Sequence, residues 1–264
     1  MNLEMLTTLN VQIEDDTAIV AFNRPQFLNT LTTTMVSELR MTFQSLEADS
    51  GVRGVIVTGS GEKAFMAGAD VSGFQNMGSL ELRRFAAHGQ EHICNYIENF
   101  TKPVIAAVNG YALGGGNELA MACDIRIAST NAIFGQPETG VGIMPLYGAT
   151  KRLQRLVGFG RAKELIMTGR RITAEEAYQI GLVSFVVEQS ELIPTAKKLL
   201  AQINRNAPLS VYFSKIAVNR AADLDMEAAC EVERDLAAIV FGTEDKKEGI
   251  DAFLHKRKAN YHSV

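Results

Sequence analysis

The sequence predicts an α/β fold with a helical C-terminal section. Three observations carry that expectation. Short strand-like runs alternate with helix-like stretches up to about residue 145. From about Leu153 onward the patterns become mostly helical. No low-complexity linker divides the chain.

The elements follow in order. Val11 and Ile13 alternate with Gln12 and Glu14, and Asp15-Asp16 supplies a turn. Ile19-Val20-Ala21-Phe22 reads as a more buried strand, ended by Asn23-Arg24-Pro25. Leu31, Met35, Val36, Leu39, Phe43 and Leu46 recur at spacings of three and four, which gives a helix with one apolar stripe. Gly54 to Gly59 is a short buried strand bordered by glycines. A second helical stretch runs through Leu82, Phe85, Ile93, Tyr96 and Ile97. Pro103 introduces the strand Val104 to Val108. Gly114-Gly115-Gly116 then leads into a small helix, Glu118 to Met121, and Asp124 to Ala128 is the next strand. Helical patterns follow at Ala162 to Met167, Thr173 to Ile180, Glu191 to Ile203 and Met226 to Ile239. Thr173-Ala174-Glu175-Glu176 has the form of a capping box. One short strand, Val183 to Val187, interrupts the helices.

Composition narrows the function classes. The 264 residues are 47% apolar and 21% charged, near the averages for soluble globular proteins. A net charge of -4 supplies no overall field for nucleic acid or anionic lipid, so an anionic substrate needs a local basic patch. The first helix offers only Arg40 among Glu38, Glu47 and Asp49, which disfavours RNA binding. Cys94, Cys123 and Cys230 are widely spaced and form no CxxC pair, so neither a disulfide framework nor a zinc cluster is expected. A reducing compartment, the cytoplasm, is the simplest reading. His88 and His92 lie four apart, but without an HExxH pattern or a third ligand no metal site is assigned. Residues 1–6 resemble neither a signal nor a transit peptide, and no segment approaches the ~20 apolar residues of a membrane span.

Three segments are candidates for chemistry. In Ala107 to Ala120 a buried strand meets a glycine run and then a helix. Glycine there lets a ligand approach main-chain N–H groups, and a helix N-terminus adds free donors and a positive dipole end. A tight structural turn explains the same glycines. The run lacks the third glycine of a dinucleotide fingerprint, since Leu119 stands there, and no GK[ST] follows. Lys63-Ala64-Phe65-Met66-Ala67-Gly68-Ala69-Asp70 is rich in small residues, leads toward a helix, and again permits close approach to backbone. In Phe134-Gly135-Gln136-Pro137-Glu138, Pro137 fixes the backbone before a carboxylate. Taken singly, Glu138 reads as a solvated loop residue and Glu118 as complementing its helix dipole.

The order and wording of these segments closely resemble the enoyl-CoA hydratase/isomerase (crotonase) family. The resemblance runs through Lys102 to Gly110, Ala112 to Ala120 and Phe134 to Glu138, and extends to Asn23-Arg24-Pro25, Ala67-Gly68-Ala69-Asp70, Arg152-Leu153, Ala177 to Val183 and the tail Thr243 to Lys258. It implies a spiral of ββα units over residues 1–200 that holds an acyl-CoA site. A helical section over 201–264 would serve oligomerisation and active-site closure. It also implies a homotrimer or a dimer of trimers. The oxyanion hole would be the N–H groups of Ala69 and Gly115. Glu118 would act as the base that activates water, and Glu138 as the acid that protonates C2. No cofactor beyond the coenzyme A of the substrate is implied. Retention of both glutamates favours a hydratase over a double-bond isomerase, and also over a non-catalytic acyl-CoA binder.

By the same resemblance, Arg24, Lys63, Ala67, Asp70, Val71, Phe253 and Lys256 fall at substrate or coenzyme A contacts. Gln26 and Ser72 stand where many relatives offer lysine. Asn117, Leu146 and Tyr147 fall at the acyl pocket. There the chain departs from the IPGAGGT of many hydratases, with Met144-Pro145-Leu146-Tyr147-Gly148-Ala149-Thr150. That departure leaves the acyl group open.

Overall fold

Two antiparallel strands open the fold: β1 (Leu9–Glu14) and β2 (Thr17–Phe22), in register from Leu9 opposite Phe22 to Glu14 opposite Thr17. Asp15, at φ 52°, makes the tight turn between them. The computed structural model describes residues 6–262. Helix α1 (Thr33–Ala48) begins where the Thr32 hydroxyl accepts the Met35 N–H. Its predicted stripe is buried, from Met35 and Val36 through Leu39 and Phe43 to Leu46. Leu31 is not part of the helix; it precedes the cap and pairs with Ala69 in an isolated bridge. Strand β3 (Gly54–Gly59) is buried along its whole length, as a parallel strand covered on both faces must be.

From β3 onward a unit repeats. A strand of the first sheet is followed by a three-residue strand of a second sheet and then by helix. The repeats are β3 with β4 (Ala64–Met66) and α2 (Ser79–Gly89); β5 (Val104–Val108) with β6 (Tyr111–Leu113) and α4 (Gly115–Ala122); and β7 (Ile125–Ser129) with β8 (Ile133–Gly135) and α5 (Ala149–Val157). The short helix α3 (Asn95–Glu98) lies between α2 and β5. Helix α6 (Phe159–Thr168), strand β9 (Arg171–Thr173), helix α7 (Ala174–Gln179) and strand β10 (Phe185–Val187) follow. The first sheet has the order β1-β2-β3-β5-β7-β10, all parallel except β1. The second has the order β4-β6-β8-β9, with β9 antiparallel. This is the expected ββα spiral.

The predicted second helix is not continuous. It leaves α2 through a single π turn, Gln90–Cys94, before α3. Such turns insert one residue into the helical ladder and gather at functional sites. Strands predicted at Asp124 to Ala128 and Val183 to Val187 begin later than expected, at Ile125 and Phe185.

The chain packs as two units. One runs through Phe100 and resumes from Val104 to Lys197; the other takes Thr101–Pro103 and the chain from Lys198 onward. The first holds the main core, where Phe43 meets Phe100 edge-on at 5.0 Å and Phe22 meets Phe65 at 5.2 Å. Each such fully buried side chain contributes about 1.5–3 kcal/mol. Helix α8 (Leu192–Ile203) crosses the chain boundary between the units. The second unit is helical: α9 (Pro208–Ala221), α10 (Met226–Phe241), capped by Asp225, and α11 (Glu244–Leu254), capped by Thr243. Its tail is tied back by Arg257, which pairs with Glu248 and Asp251. Among the described residues, no helix is long and apolar enough to cross a membrane.

Candidate active site

A cavity of about 290 Å³ lies in the first unit where the ends of β4 and β6 face the start of α4. Ala67, Gly68, Ala69, Gly114, Gly115, Glu118 and Glu138 line it, with Val71, Phe74, Val141, Ile143, Leu146 and Tyr147 as its apolar walls. Two segments far apart in the chain therefore share one space.

Main-chain pairing leaves two donors there. In the bridge between Leu31 and Ala69, the Leu31 N–H donates to the Gly68 carbonyl and the Asp70 N–H donates to the Leu31 carbonyl. Because strand backbone alternates, the Ala69 N–H faces the other way and has no acceptor among the described residues. Gly115 is the first residue of α4, so its N–H has no intrahelical acceptor either. A Cβ placed on Gly115 would stand 3.8 Å from the Ala69 nitrogen, which puts the two donors side by side.

Glycine is required for this packing. Gly114 has φ 52° and ψ -123°, a conformation that L side chains avoid, and a Cβ there would meet Glu138 Oε1 at 3.0 Å. At Gly116 a Cβ would fall 1.9 Å from the Met66 carbonyl oxygen, so α4 sits directly on β4.

The two carboxyls are held differently. Glu118 is buried, and its Oε1 accepts the N–H groups of Tyr147 at 2.8 Å and Ala149 at 2.9 Å. Burial raises its pKa above the ordinary carboxylate value, against the opposing pull of those N–H groups and the nearby Arg152 guanidinium. Arg152 in turn fixes the segment that supplies the donors. It donates to the Tyr147 carbonyl at 2.8 Å, to Asn95 Oδ1 at 2.8 Å and to Glu98 at 2.6 Å. Glu138 is less deeply buried, yet burial pushes its carboxyl up to about 7, and the charge of Glu118 adds to that rise. Gln136 Nε2 donates to Glu138 Oε1 at 3.3 Å, and the other oxygen has no partner among the described residues. A cavity with two unengaged N–H donors and two glutamates can stabilise a developing oxyanion while moving protons.

The sequence pattern of the family described as Enoyl-CoA hydratase/isomerase matches residues 12–263. The chain belongs to the enoyl-CoA hydratase/isomerase family. A short-chain-enoyl-CoA hydratase from Clostridium acetobutylicum is 49% identical over 96% of this chain and 97% of its own. A crotonyl-CoA hydratase from Syntrophomonas wolfei is 48% identical, covering 94% and 95%. The crystal structure of an enoyl-CoA hydratase from Bacillus anthracis superposes with a TM-score of 0.92 at 38% identity, covering 98% of this chain and 100% of the other.

The other residues singled out from the family resemblance take varied places. Ala67, Val71, Leu146 and Tyr147 line the cavity. Asn117 does not. It is buried, and its Nδ2 donates to Gln136 Oε1 at 2.9 Å. Gln136 donates onward to Glu138, so Asn117 is linked to that carboxyl through one side chain. Arg24 donates to the Thr30 carbonyl at 2.9 Å and lies over the Phe27 ring. Its charge also reaches Asp70, which caps the turn that begins at Val71 and borders a neighbouring cavity. Lys63 has an exposed side chain outside both cavities. Phe253 and Lys256 belong to the helical unit, and both are exposed.

Sequence reasoning missed Arg152, Phe74 and Arg171 as parts of this site. Arg171 lines the cavity from the short strand β9. Arg152 lay within a matched segment, but nothing local marks a helical arginine as buried.

Proposed function

We propose that this protein is an enoyl-CoA hydratase that adds water reversibly across the 2,3 double bond of a 2-enoyl-CoA thioester. The observation that carries the proposal is the convergence of Glu118, Glu138, Ala69 and Gly115 on one cavity. The hydratase names of relatives at 49% and 48% identity support the same reading.

In this mechanism the thioester oxygen accepts the N–H groups of Ala69 and Gly115. Glu118 takes a proton from water as the water oxygen bonds to C3. Negative charge moves through C2 onto the thioester oxygen, where the two donors stabilise it. Loss of one such donor typically costs about 3–4 kcal/mol. Glu138 then delivers its proton to C2. The sum is one water added, and the carboxyls return to their starting states by passing the proton from Glu118 to Glu138. A Glu138 carboxyl titrating at about 7 suits the acid role, because a fair share is protonated near neutrality. A Glu118 carboxylate held by two main-chain N–H groups suits the base.

On this reading, the coenzyme A of the substrate is the only coenzyme required, and Arg24, Lys63, Lys256 and Phe253 serve its phosphates and adenine. The assembly is a homotrimer or a dimer of trimers. Val218, Met226 and Phe241, apolar side chains exposed on the helical unit, support association. The three cysteines are free, which fits the cytoplasm.

The test is loss of the enoyl-thioester absorbance with crotonyl-CoA. Glu118→Gln and Glu138→Gln should each lower the rate by about 10²-fold or more, with coenzyme A ester binding retained. Wild-type rates in both variants would overturn the assignment.

A further inference from the structure

We propose that Tyr147 sets the length of acyl chain the enzyme accepts, by closing the catalytic cavity against a second, larger one, so that short 2-enoyl thioesters are the preferred substrates. The proposal rests on the hydratase reading above and specifies its substrate class.

The second cavity, of about 680 Å³, adjoins the first. Val36, Met77 and Phe85 give it an apolar wall that an alkyl tail would cover, beside a polar lining that includes Asp70, Glu81, Arg84 and His88. Two side chains border both spaces, Tyr147 and Phe74. Phe85 links them: its ring meets Phe74 edge-on at 5.3 Å and Tyr147 at 6.0 Å. Together the three rings form a partition. On the catalytic side, about 290 Å³ is available for the thioester, the double bond and the first carbons of the acyl chain. That volume sits at the lower end of small-molecule sites.

The partition is fixed because the Tyr147 ring is wedged along both edges. One edge lies against Gly89, the last residue of α2, where a Cβ would stand 2.1 Å from Tyr147 Cε1. The opposite edge lies against Gly115, where a Cβ would stand 3.3 Å from Cδ2. Its main chain is held too. The N–H donates to Glu118, the carbonyl accepts from Arg152, and the carbonyl of Leu146 accepts from Gln90 at 2.6 Å. The phenol oxygen is buried and has no hydrogen-bond partner among the described residues. Shape therefore holds the ring in place, and the hydroxyl does not. A longer tail has to displace the ring before its methylenes gain burial worth about fourfold in affinity each.

The experiment measures kcat/KM of the intact protein for 2-enoyl-CoA esters of four, eight and ten carbons. The wild type should prefer four carbons over ten by about tenfold or more, and Tyr147→Ala should raise the ten-to-four ratio by about tenfold or more. Tyr147→Phe should keep the wild-type ratio, since the hydroxyl is not what closes the cavity. A wild type that turns over both lengths equally, or an unchanged ratio in Tyr147→Ala, overturns the proposal. If Tyr147→Ala does not fold, Phe74→Ala must raise the ratio instead, and an unchanged ratio there is equally fatal. Absence of hydration at every length would sink the hydratase reading alone. The partition is then judged by binding: the wild type should hold butyryl-CoA more tightly than decanoyl-CoA, and Tyr147→Ala should reverse that order.

Discussion

Burial raises the Glu138 carboxyl to about 7, with the charge of Glu118 adding to the rise. A direct pH dependence follows from that residue. Below about 7 the proposed acid keeps its proton; as pH climbs through that value the proton leaves and the step at C2 loses its donor. The profile of kcat/KM should therefore fall on the alkaline side with an apparent midpoint near 7, and Glu138→Gln should lack that limb. Stopped-flow hydration of crotonyl-CoA from pH 5 to 9 measures both. A limb that survives in Glu138→Gln assigns the titration to another group. At this scale the sequence was partly silent. Glu118 and Glu138 look like dipole-complementing and loop glutamates until the whole motif order is considered. Asn117 was expected at the acyl pocket, but the rotation of about 100° between neighbouring helical residues turns its amide to Gln136 while Glu118 lines the cavity.

Among the elements, the contact between α4 and β4 is the tightest constraint on the site. Gly116→Ala would drive a methyl group against the Met66 carbonyl and push the Gly115 N–H away from Ala69. The expected cost is about 1–3 kcal/mol of stability. A larger loss in kcat should accompany it, read by urea unfolding and by turnover. Normal turnover in Gly116→Ala would show that the two donors need not be adjacent. Strands β3 and β5 were legible because buried parallel strands are unbroken apolar runs, and α1 because its stripe keeps the helical period. Strands β4, β6, β8 and β9 went unread, since three residues cannot display an alternation and their partners lie far along the chain. The π turn at Gln90–Cys94 was equally hidden, because its apolar residues still fit the spacing of an ordinary helix.

Over the whole molecule, the first sheet adds its parallel strands one turn at a time, with β3 and β5 at its centre and the antiparallel β1 and the parallel β10 at its edges. Native-state hydrogen exchange should therefore be slowest in Val104–Val108 and fastest, among the strands of that sheet, in Leu9–Glu14 and Phe185–Val187. Equal protection of centre and edge would mean that the sheet opens as one body. The α/β-then-helical order was readable because the hydrophobic period changes along the chain. The two units part after Lys197, inside α8, where the helical pattern is unbroken.

Residue 147 serves two masters through different atoms: its amide steadies Glu118, and its ring walls off the neighbouring space. An amide is the same whichever side chain it carries. Descendants of this gene can thus trade the ring for something smaller and take bulkier fuels while keeping the amide that steadies Glu118.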